Sequence, residues 1–177
     1  MINIVKSIDI QASPRTIWTI IVKHLEHPEQ PEQPDSDTAP IRGLGGIPLS
    51  EKRTGIGART RWTYEFRGKR FTWDDEVTGW DEERQVVWKA ISTWTMIDSF
   101  ELLPTKTGTT IIYRMQYKFP YGPLGWLVAR LLYHRHMERS LEKTLRDLKT
   151  SAERISSLRT STPRSLTSCE SGERIRG

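Results

Sequence analysis

Three side chains in this sequence have the chemistry of a general acid or base and sit where a core should form: Asp75, Asp98 and His134. Asp75 follows Phe71 and Trp73 at steps of two, and Asp98 lies between Met96 and Phe100 at the same step. Each carboxyl therefore shares a strand face with bulky apolar residues. Stripped of water there, a carboxylate would have a raised pKa, which suits it to hold or deliver a proton near neutral pH. The alternatives are a bulge or edge position that reaches solvent, or a structural salt bridge to Arg or His. His134 and Glu138 are four residues apart and share a helix face. That face is otherwise apolar, running through Leu124, Leu127, Leu131, Leu141, Leu145, Leu148, Ala152 and Ile155. Buried polar groups need partners, so the helix either packs on a polar cluster there or roofs a cavity.

Other chemistries find little footing. In His134-x-His136-x-Glu138 the two histidines point about 200° apart on a helix, so they cannot chelate one ion together. His134 with Glu138 supplies two ligands, which is too few. His24-x-x-His27 abuts Pro28 and lacks a third ligand, so no metal and no cofactor is expected. The single cysteine, Cys169, lies in a polar tail, and no G-x-S-x-G elbow is present. The Gly43–Gly46 stretch lacks the Lys-Ser/Thr of a phosphate loop.

These residues must be positioned by one domain, because 177 residues suffice for a single core. Residues 3–11 alternate as a strand, and Ser13-Pro14 opens a short amphipathic helix over 14–25 carrying Ile17, Trp18, Ile20, Ile21 and Leu25. The Pro- and acid-rich stretch 27–40 reads as a loop, and the glycines of 43–57 as a further flexible stretch. From Ala58 to Phe119 the chain is almost all strand: Trp62, Tyr64 and Phe66, then Phe71, Trp73 and Val77, then runs over 86–93, 95–103 and 109–119. Their short connections make them antiparallel neighbours. Pro120 and Pro123 end the sheet, and a long helix follows over about 124–155. The domain is expected over 1–158, with 159–177 a disordered basic tail.

Net charge is +5, and the four Arg and two Glu of 159–177 place +2 of it in the tail. The remainder is modest, and no recognised nucleic-acid motif is present, so no specific nucleic-acid role is expected. No apolar run reaches the roughly 20 residues of a membrane span, and the N-terminus lacks a signal-peptide core, so a cytoplasmic location is expected. Nothing in the sequence indicates an oligomeric state.

The element order resembles the helix-grip fold of the START-like, polyketide cyclase/dehydrase and lipid-transport superfamily. Three stretches carry the resemblance: Ala12-Ser13-Pro14 through Ile17-Trp18, Phe100-x-Leu102-x-Pro104 before Gly108-Thr109, and Phe119-Pro120 to Gly125 leading into the helix. The stretch 27–40 departs from it, since relatives often carry a compact second helix there. The resemblance implies an α+β fold: a curved antiparallel sheet wrapped around a long C-terminal helix, with a short helix after the first strand. It also implies a cavity between sheet and helix for a lipid, quinone or polyketide-like molecule.

On that expectation, the ligand-binding set comprises Trp62, Tyr64, Phe66, Phe71, Trp73, Asp75, Asp98, Phe100, Tyr113, Met115, Tyr117, Leu127, Leu131, His134 and Glu138, with Leu102 and Ile111 also facing inward. His134 and Glu138 should face Asp75 or Asp98. Their role stays open among a structural network, a ligand-orienting spot and an acid/base pair. Binding of a small hydrophobic or amphipathic ligand, with transport as an extension, is favoured over a cyclase/dehydratase using Asp75, Asp98 or His134. A lipid carrier making transient membrane-surface contact, with the 43–57 region as its gate, is the third reading.

Overall fold

A computed structural model describes residues 1–28, 41–66, 69–91, 95–118, 122–123, 127, 130 and 134–160. Among the described residues nine elements follow one another: β1 (Ile2–Ile10), α1 (Pro14–Glu26), β2 (Ile41–Pro48), β3 (Arg59–Phe66), β4 (Lys69–Asp81), β5 (Gln85–Ala90), β6 (Thr95–Pro104), β7 (Thr109–Lys118) and α2 (His134–Thr160). The seven strands form one antiparallel sheet in the order β1-β7-β6-β5-β4-β3-β2. This is the helix-grip arrangement, with α2 packed against β1 and α1 on the inner face.

The strands alternate as their sequences dictate. Along β7, Thr109, Ile111, Tyr113, Met115 and Tyr117 are buried while the residues between them are not. Opposite them on β1, Ile2 pairs with Tyr117, Ile4 with Met115 and Ile8 with Ile111, so the apolar faces coincide. Helix α1 starts where Ser13 Oγ accepts the Thr16 amide at 3.2 Å and Pro14 occupies the first turn. It buries Ile17, Trp18, Ile21 and Leu25, and Trp18 meets Trp80 of β4 edge-on with ring centres 4.8 Å apart.

The glycine-rich stretch departs from expectation. Residues 41–48 form an edge strand, with a register shift against β3 between Gly43 and Gly46. Gly46 lies so close to Thr60, Trp62 and Pro28 that a Cβ would come within 2.9–3.0 Å of each. The glycine therefore serves close packing of the strand rather than flexibility. Helix α2 continues to Thr160, two residues beyond the expected domain end. Residues 161–177, read as a tail, and most of the expected helix before His134 lie outside the described residues, as does most of the loop 27–40.

Candidate functional site

The concave face of the sheet and α2 enclose a cavity of about 210 Å³. Strands β3 and β4 contribute Trp62, Tyr64, Phe71, Trp73 and Asp75, β6 contributes Met96, Asp98 and Phe100, and β7 contributes Tyr113 and Met115. Of the aromatic residues that a period of two puts on the inward face, Trp62, Tyr64, Phe71, Trp73, Phe100 and Tyr113 line this cavity. Tyr64 and Trp73 stack with centres 4.2 Å apart, and Phe100 packs between Trp88 and Tyr113. A second hollow of about 470 Å³ lies between α1 and α2 and shares His24, Leu25, Trp88, Phe100 and Thr144 with the first. Together they reach the size of ordinary small-molecule sites.

Asp75 and Asp98 project into this space from β4 and β6, across β5. Asp75 pairs in register with Ala90, and Asp98 with Trp88. Both residues are only 8% exposed. Trp73 Nε1 donates to Asp75 Oδ2 at 3.1 Å, and the Tyr113 hydroxyl donates to Asp98. The remaining oxygen of each, Oδ1, has no hydrogen-bond partner among the described residues. Burial pushes Asp75 up to about 6, with a smaller push from Asp74 and an opposing pull from the Trp73 bond. Burial pushes Asp98 up to about 8, reinforced by the charge of Asp75 and opposed by the Tyr113 bond. Tyr113 is itself driven well above its ordinary value by burial and by Asp98, so its hydroxyl keeps its proton. Near neutral pH the pair therefore holds one proton, chiefly on Asp98, and one charge, chiefly on Asp75.

The residue before Asp75 shows how strand phase decides a carboxyl's fate. Asp74 points to the outer face, where Arg61 Nε and Nη2 reach its two oxygens at 2.7 and 2.9 Å. That bond holds Asp74 below its ordinary range. One step along the chain, Asp75 has no guanidinium and is raised.

The expected meeting of His134 and Glu138 with these acids does not occur. Neither lines the cavity. Glu138 Oε1 lies 4.0 Å from His134 Nε2 and 3.5 Å from Lys6 Nζ, and Lys6 donates to Glu142 at 2.8 Å. The stripe of α2 splits into two edges. Glu138, Glu142, Lys149 and Glu153 reach β1 and the turn after it, where Glu153 accepts the Gln11 amide and Lys149 donates to the Asp9 carbonyl. The other edge, Met137, Ser140, Leu141 and Thr144, roofs the cavity. The polar interruption of the helix stripe thus belongs to a charged seam with β1, and His134 Nδ1 is buried there without a partner among the described residues.

Two further expected lining residues fall elsewhere. Leu127 is 46% exposed and does not border the cavity, and Tyr117 is buried beside Glu138 rather than on the cavity wall. Leu131 and the side chain of Phe66 lie outside the described residues. Leu102 and Ile111 are buried in the core.

The expected lining set omits Trp88, Met96 and the helix contributions, although Met96 shares the Asp98 face at a step of two and Trp88 follows Val86 at the same step. His24 drew attention only as a metal candidate, but it stacks on Trp62 with centres 5.3 Å apart at the cavity wall. Among the described residues no three His, Cys, Asp or Glu side chains gather closely enough to hold a metal, and no helix is long and apolar enough to cross a membrane.

The family model for polyketide cyclase/dehydrase and lipid transport matches residues 1–153. No curated protein matches the sequence significantly. Among solved structures, the fold is similar to protein TTHA0849 from Thermus thermophilus, at 18% identity and a TM-score of 0.62 over 91% of this chain and 100% of that one. It is also similar to protein CV1439 from Chromobacterium violaceum, at 11% identity and a TM-score of 0.61 over 86% and 99%. The di-domain ARO/CYC StfQ from the steffimycin biosynthetic pathway matches at 14% identity and a TM-score of 0.64, over 88% of this chain and 51% of its own.

Proposed function

The chain belongs to the polyketide cyclase/dehydrase and lipid-transport family, and on that premise we propose that it binds one small, mainly apolar molecule between the sheet and α2. The apolar body lies on Trp62, Tyr64, Trp73, Trp88 and Phe100, and a polar group reaches Asp75 and Asp98. The observation that carries this reading is an aromatic cavity holding two buried carboxyls, each with an oxygen left unpartnered among the described residues. A buried polar atom without a partner costs about 1–3 kcal/mol, and a ligand that supplies the bond recovers that cost. Titration with the neutral fluorophore N-phenyl-1-naphthylamine tests the reading. Saturable fluorescence enhancement is expected in the wild type and its loss in Thr144→Trp, which fills the space shared by both hollows. Equal enhancement in the two proteins would refute it.

A second reading is acid/base catalysis on a carbonyl compound, favoured by the unequal carboxyls. Asp75, raised to about 6, is charged near neutral pH and fit to remove a proton beside a carbonyl. Asp98, raised to about 8, retains a proton to deliver to a departing hydroxyl. This would be the chemistry of a cyclisation followed by dehydration. Deuterium exchange at the α-carbon of an aryl methyl ketone, followed by NMR, should be accelerated by the wild type and not by Asp75→Asn. Equal exchange with both would exclude Asp75 as the base.

A further inference from the structure

The acids of this sheet and of the helix upon it are treated in two ways. Asp74 is met by Arg61, Glu101 by Arg114, and Glu142 by Lys6. Asp75 and Asp98 are far more buried than any of these, yet no Lys or Arg lines their cavity among the described residues. Their protein partners are an indole N–H and a phenol, which are dipoles and not counter-charges. An uncompensated buried carboxylate is costly, and a fixed Lys or Arg would be the ordinary remedy. The same cavity is lined by the aromatic rings of Tyr64, Trp73, Trp88 and Phe100, and an aromatic ring attracts a cation desolvated from water.

We propose that the ligand itself supplies the missing counter-charge: the cavity takes a cationic amine on a small ring-bearing body, its ammonium lying between Asp75 and Asp98. This rests on the reading that the cavity binds a small molecule, and it names the chemical class. An ammonium has three donors and no acceptor. The two free Oδ1 atoms offer acceptors and no further donor, except where Asp98 carries its proton. On binding, that proton is displaced to solvent and both carboxylates face one cation. Neither a neutral lipid nor an anionic one would give the carboxylates a counter-charge, and an anion would meet Asp75 with repulsion.

Isothermal titration calorimetry on the full chain, using 2-phenylethylamine and its neutral analogue 2-phenylethanol at about pH 7.5, tests the proposal. The amine is expected to bind at least about tenfold more tightly than the alcohol, with proton release visible as a buffer-dependent heat. In a cooperatively folding Asp75→Asn, Asp98→Asn double variant the preference should fall below about twofold. The wild-type comparison needs no variant: an alcohol that binds as well as the amine overturns the proposal. If the naphthylamine probe then still binds, the cavity reading stands and only the cationic class is lost. If the probe fails as well, both fall. A preference that survives in a cooperatively folding double variant also overturns it, because the carboxyls would not be its source.

Discussion

Replacing Asp98 by Asn separates the electrostatic cost of the site from its shape. In the unfolded chain this carboxyl titrates at its ordinary 3.8, and in the folded one burial raises it to about 8. Between those values the unfolded chain has lost the proton and the folded chain keeps it. The native state binds more protons, so this contribution to stability is fully present below about pH 4 and is lost as pH rises towards 8. Each pH unit in that window is worth about 1.4 kcal/mol, so Asp98 costs the wild type about 4 kcal/mol more at pH 8 than at pH 5. Asn does not titrate. Its own penalty for burying an amide is the same at every pH and cancels when the difference between the proteins is compared across pH. Urea unfolding of ligand-free protein at pH 5, 6, 7 and 8 should therefore show Asp98→Asn gaining about 4 kcal/mol on the wild type across the series. Asp75, raised only to about 6, adds its slope to both proteins in the lower part of the range. A difference that stays constant within about 1 kcal/mol from pH 5 to pH 8 would show that Asp98 ionises normally, and the reasoning from burial would fail.

Three other outcomes follow from the packing. Ile111, fully buried between β1 and β6, should cost about 2–5 kcal/mol when cut to Ala, measured by the same unfolding assay. Ser13→Ala removes the acceptor for the Thr16 amide and should cost about 0.5–2 kcal/mol, with the loss restored by Ser13→Asp. Lys6→Met should change stability little, since Lys6, Glu138 and Glu142 are all partly exposed. Any loss should shrink in about 1 M NaCl, and a loss as large as that of Ile111→Ala would mean the seam is more than a surface contact.

The sheet was legible because a strand's period is two and its face is decided by parity alone. That parity put Trp62, Tyr64, Phe71, Trp73, Asp75, Asp98 and Phe100 on one wall. It could not show that Asp75 and Asp98 would influence one another, since that depends on β5 lying between β4 and β6 with Ala90 and Trp88 in register. The helix was less legible. A stripe of threes and fours spans a broad arc, and α2 divides that arc between β1 and the cavity. Glu138 and Met137 are adjacent in sequence yet fall on opposite sides of the division, and only the docking angle of the helix decides which enters the site. The β2 strand was hidden because its glycines look like flexibility until Thr60, Trp62 and Pro28 are seen pressed against Gly46.

The placement of β1 carries a consequence for how the chain is made. The strand emerges from the ribosome before the other six, but its one sheet neighbour is β7, the last of the seven to be synthesised. The bond from the Thr109 hydroxyl to the Ala12 carbonyl joins residues 97 apart in sequence. Strands β2 to β7 can zip up hairpin by hairpin as they appear, whereas β1 must wait, its apolar Ile2, Ile4, Ile8 and Ile10 unpaired, until the rest exists. Closing so large a loop is slow, and an unpaired apolar strand is a ready partner for another chain. The nascent β1 segment thus has no sheet partner among the described strands until β7 has been made.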